Sequence, residues 1–254
     1  MANVMPELGD GAAKHSTLTD RPVSVVLPVH GQVDHIGGVL ERLHEAALSV
    51  SRSIEFIVVV NGTDDGSYGE CQRVAKRLVG SRVIRLPESG WGRAVRAGLA
   101  AAQGDLLCYT NSARTSPDDL RTALALGVLN NDHAIKAVRR SRDSVVRRAA
   151  SVAYNLEARA LFGLASWDLN GTPKVFPRSF QPLLELTELG DLIDLEWLVT
   201  LQQNDLPLLE FPVTSARRHG GLSTTKIRSA GGMYLGAIRL RRSLAQRANG
   251  RPRV

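Results

Sequence analysis

Ile54-Glu55-Phe56-Ile57-Val58-Val59-Val60 runs straight into Asn61-Gly62-Thr63-Asp64-Asp65-Gly66. The first seven residues are β-branched or aromatic apart from one glutamate. The next six are turn formers. A short apolar run with no charge at its centre reads as a strand buried on both faces of a parallel sheet. The same unit recurs. Val23-Ser24-Val25-Val26-Leu27-Pro28-Val29 precedes it, and Arg82-Val83-Ile84-Arg85-Leu86 and Asp105-Leu106-Leu107-Cys108-Tyr109 follow, the last running into Thr110-Asn111-Ser112. Helical spacing separates these runs: Val33, Ile36, Val39, Leu40, Leu43 and Ala47 first, then Val74, Ala75 and Leu78, then Ala94, Val95, Leu99 and Ala102. Pro117-Asp118-Asp119 opens a fourth helix with proline early and acids in its first turn. Residues 22–128 therefore read as β-α-β-α-β-α-β-α, a doubly wound, mostly parallel α/β sheet flanked by helices. In such sheets ligands bind beyond the carboxyl ends of the strands.

The second half is less regular. Ala134 to Val138 reads as a strand, 145–162 as a long helix, Lys174-Val175-Phe176 as a short strand and 191–203 as a helix. Leu206 to Val213 reads as an edge strand because Pro207 and Pro212 interrupt it. Residues 234–247 read as a basic amphipathic helix. Its apolar stripe is Tyr234, Leu235, Ile238 and Leu244, and Arg239, Arg241, Arg242 and Arg247 supply charge. Such a helix suits an anionic membrane surface or a docking site with a basic rim. The expected organisation is a loose tail over 1–20, one domain over 21–228 and the basic C-terminal segment over 229–254.

The 254 residues are 43% hydrophobic, enough for a globular core, and carry a net charge of +7. That charge favours anionic partners but does not choose among them. Nucleic acid ranks last, since aromatic interleaving and recognised binding motifs are missing. Cys71 and Cys108 match no metal spacing and point to a reducing, cytoplasmic compartment. No apolar run reaches the roughly 20 residues needed to span a bilayer, so a soluble protein, or one at the inner face of the membrane, is expected. The six histidines form no metal-spaced pair, though His30 and His219 fall in loops that border the expected site. Gly90-x-Gly92 lacks the third glycine of a dinucleotide fingerprint, Val95 standing in its place, and there is no P-loop or nucleophile elbow.

Taken together, Pro28-Val29, the Asn61 to Gly66 turn, Gly90-Trp91-Gly92-Arg93 and Gly104-Asp105 keep one order and spacing. Asp168-Leu169-Asn170-Gly171-Thr172-Pro173-Lys174 follows, then Asp194-Leu195-Glu196-Trp197, Glu210-Phe211-Pro212-Val213 and Arg218-His219-Gly220-Gly221-Leu222-Ser223. This series resembles glycosyltransferase family 2, in particular its dolichol- and polyprenyl-phosphate mannosyltransferase-like branch, over about residues 22–228. The resemblance implies a GT-A (Rossmann-like) fold with a less regular acceptor-side second half. It also implies inverting transfer of a sugar from a nucleoside-diphosphate sugar to a polyprenyl phosphate or a small hydroxyl acceptor. By that match Pro28, Val29, Asn61 and Asp65 contact the nucleotide. Gly90, Gly92, Arg93, Asn111, Ser112, Arg140, Arg142, Lys174, Arg218 and Ser223 are the further substrate-binding candidates. Glu196, Asp194 and Asp168 are the candidate catalytic carboxylates, Glu196 first.

The chain departs from the family where metal chemistry is expected. The usual Asp pair is replaced by Val60-Asn61. The usual Asp-x-Asp after the fourth strand is Asn111-Ser112-Ala113, and His30-Gly31-Gln32 replaces the aromatic-Asn-Glu of the first loop. No metal ligand set is therefore assigned, and any Mg²⁺ or Mn²⁺ is expected to arrive with the donor diphosphate. Two readings follow. In one, Arg93, Arg114 and the Arg139, Arg140, Arg142, Arg147, Arg148 cluster take the metal's place. In the other, the chain is a non-catalytic nucleotide-sugar-binding or regulatory protein. The oligomeric state is not readable.

Overall fold

A computed structural model describes residues 18–139, 155–156, 158–166, 168–213 and 236–242. Seven strands form one sheet: β1 (Val23–Val29), β2 (Ile54–Asn61), β3 (Ser81–Leu86), β4 (Leu106–Tyr109), β5 (Ala134–Arg139), β6 (Lys174–Pro177) and β7 (Leu208–Val213). Their order is β3-β2-β1-β4-β6-β5-β7. The first four are parallel, β6 runs against β4 and β5, and β5 and β7 pair in parallel. The helices include α1 (Ile36–Leu48), α2 (Ser67–Ala75), α3 (Trp91–Ala101), α4 (Pro117–Leu129) and α5 (Ile193–Gln203).

Alternation along β1 and β2 divides the molecule into layers. Val23, Val25, Leu27 and Val29, with Phe56, Val58 and Val60, face one apolar cluster that includes residues of α1, α2 and α4. Val26, Ile57 and Val59 face a second cluster with α3 and α5. Strands apolar on both sides need a helix layer on each, which is why the runs are unbroken by charge. The approach of α3 to β1 is close: a Cβ on Gly98 would meet the methyls of Val26, one of them at 3.0 Å. The start of α4 is as expected, since Ser116 Oγ accepts the Asp119 amide at 3.0 Å ahead of Pro117.

Both flanking expectations are refined. Thr19, assigned to the loose tail, bridges to Ser51, its amide donating to Val50 O at 2.8 Å. β7 lies at the sheet edge, where Pro212 removes no needed donor. In the described part of the C-terminal helix, 236–242, Ala237 and Leu240 are buried in the second cluster. Ile238 is half-buried beside them, Arg239, Arg241 and Arg242 are exposed, and Tyr234, Leu235 and Leu244 of the expected stripe lie outside the described residues. Residues 158–162 are helical as expected; the beginning of that helix lies outside the described residues.

Candidate functional site

The parallel strands β1 to β4 deliver four loops to one rim of the sheet, and polar side chains tie these loops to each other. Asn61, the last residue of β2, is 4% exposed. Its Nδ2 donates to Val29 O at 2.9 Å and its Oδ1 accepts the Gly90 amide at 3.0 Å. His30 Nδ1 lies 2.6 Å from the Asn61 carbonyl. Gln32 Nε2 donates to Ser112 Oγ at 2.9 Å, and that hydroxyl donates to Pro28 O at 2.8 Å. The loops after β1, β2 and β4 and the start of α3 thus share one hydrogen-bonded frame.

Asp65 closes the β2 turn. Its carboxylate accepts from Thr63 Oγ1, Ser67 Oγ and the amides of Ser67 and Val33, at 2.8, 2.8, 3.1 and 3.3 Å. Burial pushes its pKa up, but these hydrogen bonds outweigh it and hold the carboxyl at about 2. Asn111 Oδ1 accepts the Ala113 amide at 2.8 Å.

Gly90 and Gly92 do something other than bare backbone for phosphate. The Gly92 and Arg93 amides donate to Gly190 O and Leu189 O at 3.2 and 2.9 Å. A Cβ on Gly92 would collide with Glu188 O and come within 2.8 Å of Gly190 O. The glycines seat residues 188–190 against the first turn of α3, and those amides are already taken. Sequence spacing cannot distinguish a glycine that admits a ligand from one that admits another stretch of the same chain.

The three candidate catalytic carboxylates are likewise engaged. Glu196, 1% exposed, accepts from the Thr187 amide, Thr187 Oγ1 and the Glu188 amide at 2.8 to 3.0 Å. It braces the 187–188 segment. Asp168 binds Arg139 in a fork, at 2.6 Å to Nη2 and 2.8 Å to Nε, and also accepts the Arg139 amide at 3.0 Å. Asp194 accepts from Trp91 Nε1 and Tyr109 OH, each at 3.0 Å, and pairs with Lys174.

Lys174, expected to touch substrate, is wholly buried. Besides Asp194, it donates to Leu169 O at 3.1 Å, and its ammonium lies 5.5 Å from the Tyr109 ring and 5.4 Å from the Trp197 ring. Burial pulls its pKa down to about 8, with Asp194 opposing that shift. Next to it in register stands a second buried lysine, Lys136, paired with Glu210 at 2.8 Å. This ionic ladder under the rim was not foreseen, although Lys136 inside the apolar run of β5 and Lys174 at the start of β6 were its visible sign.

Pro28 and Val29 are buried at the rim, their carbonyls engaged as above. Arg93 Nη2 pairs with Glu88 at 2.6 Å. Arg140, Arg142, Arg147, Arg148, Arg218, His219 and Ser223 lie outside the described residues.

The residues present do not fit a divalent cation at the family's usual place. The Asn111 and Ser112 side chains are committed within the fold and Ala113 offers no side-chain oxygen. Among the described residues, no group of three or more His, Cys, Asp or Glu side chains stands close enough to hold a metal. Nor, among them, is any helix long and apolar enough to cross a membrane.

Comparison with known proteins agrees with this architecture. The chain is 29% identical over 146 residues to an undecaprenyl-phosphate 4-deoxy-4-formamido-L-arabinose transferase of Aeromonas hydrophila, covering 56% of this chain and 44% of that protein. The Pseudomonas aeruginosa protein of the same name is 27% identical over 160 residues, 62% of this chain and 47% of its own. The chain thus spans less than half the length of these curated relatives. Among solved structures, mannosyl-3-phosphoglycerate synthase from Rubrobacter xylanophilus aligns with TM-score 0.69 at 20% identity, covering 92% of this chain and 77% of that one. Glucosyl-3-phosphoglycerate synthase from Mycobacterium tuberculosis, in complex with Mn²⁺, UDP and phosphoglyceric acid, aligns with TM-score 0.67 at 21% identity, covering 92% and 80%. The fold is GT-A. The family described as Glycosyl transferase family 2 matches residues 24–165, more than half of the chain, and the protein belongs to that family.

Proposed function

We propose that this chain transfers a sugar from a nucleoside-diphosphate sugar to an anionic phosphate oxygen, with a polyprenyl phosphate as acceptor. The observation that carries the acceptor class is the engagement of every carboxylate expected to act as base. Asp168 is held by Arg139, Asp194 by Trp91, Tyr109 and Lys174, and Glu196 by Thr187 and Glu188. A hydroxyl acceptor needs its proton removed in the transition state; an ionised phosphate does not. Charge supports the same choice. Residues 139–148 hold five arginines against Asp143, and residues 214–235 hold Arg217, Arg218, Lys226 and Arg228 with no carboxylate. The curated relatives are named for undecaprenyl phosphate.

The chemistry is then a single displacement. An acceptor phosphate oxygen attacks the anomeric carbon from the face opposite the diphosphate, and the configuration inverts. The bond to the donor diphosphate breaks and its electron pair leaves with the nucleotide. The acceptor makes membrane contact part of the proposal, with Arg239, Arg241 and Arg242 as the exposed basic residues nearest the C-terminus that the structure describes.

The test incubates the protein with labelled UDP- and GDP-sugars and three acceptors: undecaprenyl phosphate in detergent micelles, 3-phosphoglycerate and glycerol. Label in the lipid fraction is expected. Label only on a hydroxyl acceptor would overturn the acceptor class. Nucleotide binding with no product on any acceptor would favour the non-catalytic reading, for which the missing Asp-x-Asp is the motivating observation.

A further inference from the structure

A diphosphate leaving group needs positive charge, and family relatives supply it with a metal. The turn after β4 cannot do so here. Asn111 Oδ1 is taken by the Ala113 amide, and Ser112 Oγ, 1% exposed, both donates to Pro28 O and accepts from Gln32. The nearby acids on the other loops are also engaged. Asp65 accepts its four hydrogen bonds, Asp64 pairs with Arg85, and Glu88 pairs with Arg93. Asp34 is exposed on the loop after β1 but belongs to no group that could hold a cation among the described residues. Magnesium-type ions bound through phosphates are usually also held by one or two protein carboxylates.

The same turns carry guanidinium groups with donors to spare. Arg114 directly follows Asn111-Ser112-Ala113 and is half-buried. Among the described residues its side chain makes no ion pair or hydrogen bond. Arg93 stands in the first turn of α3. One terminal nitrogen binds Glu88, and its Nε is buried without a hydrogen-bond partner. A guanidinium is planar, permanently charged and matched to two phosphate oxygens at once. We infer that this chain holds the donor diphosphate with guanidinium groups, Arg114 first and Arg93 second, and that this step needs no divalent cation. The inference rests on the glycosyl-transfer reading above. When the anomeric carbon–oxygen bond breaks, the electron pair goes to the diphosphate oxygen, and the arginines stabilise the charge that develops there.

Isothermal titration calorimetry of the full chain with UDP and with GDP, in EDTA and then in Mn²⁺, tests this. One nucleotide is expected to bind in EDTA with an affinity within about threefold of that in Mn²⁺. Arg114→Gln is expected to weaken binding by about tenfold or more, the worth of a charged hydrogen bond. Arg114→Lys is expected to recover only part of the loss, because an ammonium cannot fork. Far-ultraviolet circular dichroism checks that each variant is folded. Binding that appears only with Mn²⁺, or an Arg114→Gln affinity equal to that of the parent, would overturn the inference and leave glycosyl transfer standing. Failure of both nucleotides to bind in either buffer would overturn both.

Discussion

Asn61 Oδ1 accepts the backbone amide of Gly90 at 3.0 Å, so the last residue of β2 fixes the chain where α3 begins. Its Nδ2 donates to Val29 O at 2.9 Å, which ties in the end of β1 as well. An aspartate, the residue the family usually carries here, has no donor for Val29 O and would set a carboxylate oxygen against it. Asn61→Asp is expected to lower stability by about 1–3 kcal/mol, the cost of a buried polar group left without its partner. Urea denaturation of the variant checks this. Unchanged stability would mean the amide is not needed as a brace.

Asp194 and Lys174 form a buried ion pair that also serves Tyr109 and Trp91. Removing one partner strands the other charge. Asp194→Leu or Lys174→Met alone is expected to cost about 3–5 kcal/mol, whereas the two together are expected to cost less than either single change. Guanidinium denaturation of the two single variants and the double variant gives the coupling. Additive losses would show that the two charges do not depend on each other.

Gly92 is packed against residues 188–190, and a Cβ there has no room. Gly92→Ala is expected to destabilise by about 1–3 kcal/mol through overpacking. Differential scanning calorimetry should show a lower melting temperature. An unshifted transition would mean that the segment yields without cost and leaves the α3 amides available to ligands.

Asp65 gives the fold a defined acid sensitivity. Its carboxyl titrates near 2 in the folded chain and at about 3.8 when free. Between those values the unfolded state binds the extra proton, so the stabilisation is complete above pH 3.8 and fades as pH falls toward 2. Because the side chain is exposed, the effect is expected to be about 1 kcal/mol after solvent screening. The stability gap between the parent and Asp65→Asn, measured by urea unfolding from pH 6 to pH 2, should close over that window. A gap that widens with acid would contradict the assignment.

The sheet was legible because buried parallel strands must be apolar on both faces, and Val23–Val29 and Ile54–Asn61 had no other reading. The position of the β7 edge was legible from Pro212. The roles of the site residues were less so. The motif order pointed to the rim, but Glu196, Asp168 and Lys174, drawn from those motifs, are engaged by internal partners: Thr187, Arg139 and Asp194. Those partners are separated by 9, 29 and 20 positions in the chain, beyond the reach of local pattern. Gly90 and Gly92 show the same difficulty, because the backbone they admit is about a hundred residues away.

Amide chemical shifts recorded during a titration of the ¹⁵N-labelled chain with UDP and GDP bear most directly on the idea that four loops at one rim form the donor site. Movement is expected together in residues 29–32, 61–66, 88–91 and 110–115. The opposite rim, around Ser49 to Ser51, Val79 and Leu129, should stay still. Shifts confined to that opposite rim, or to one loop without the other three, would contradict a shared donor site.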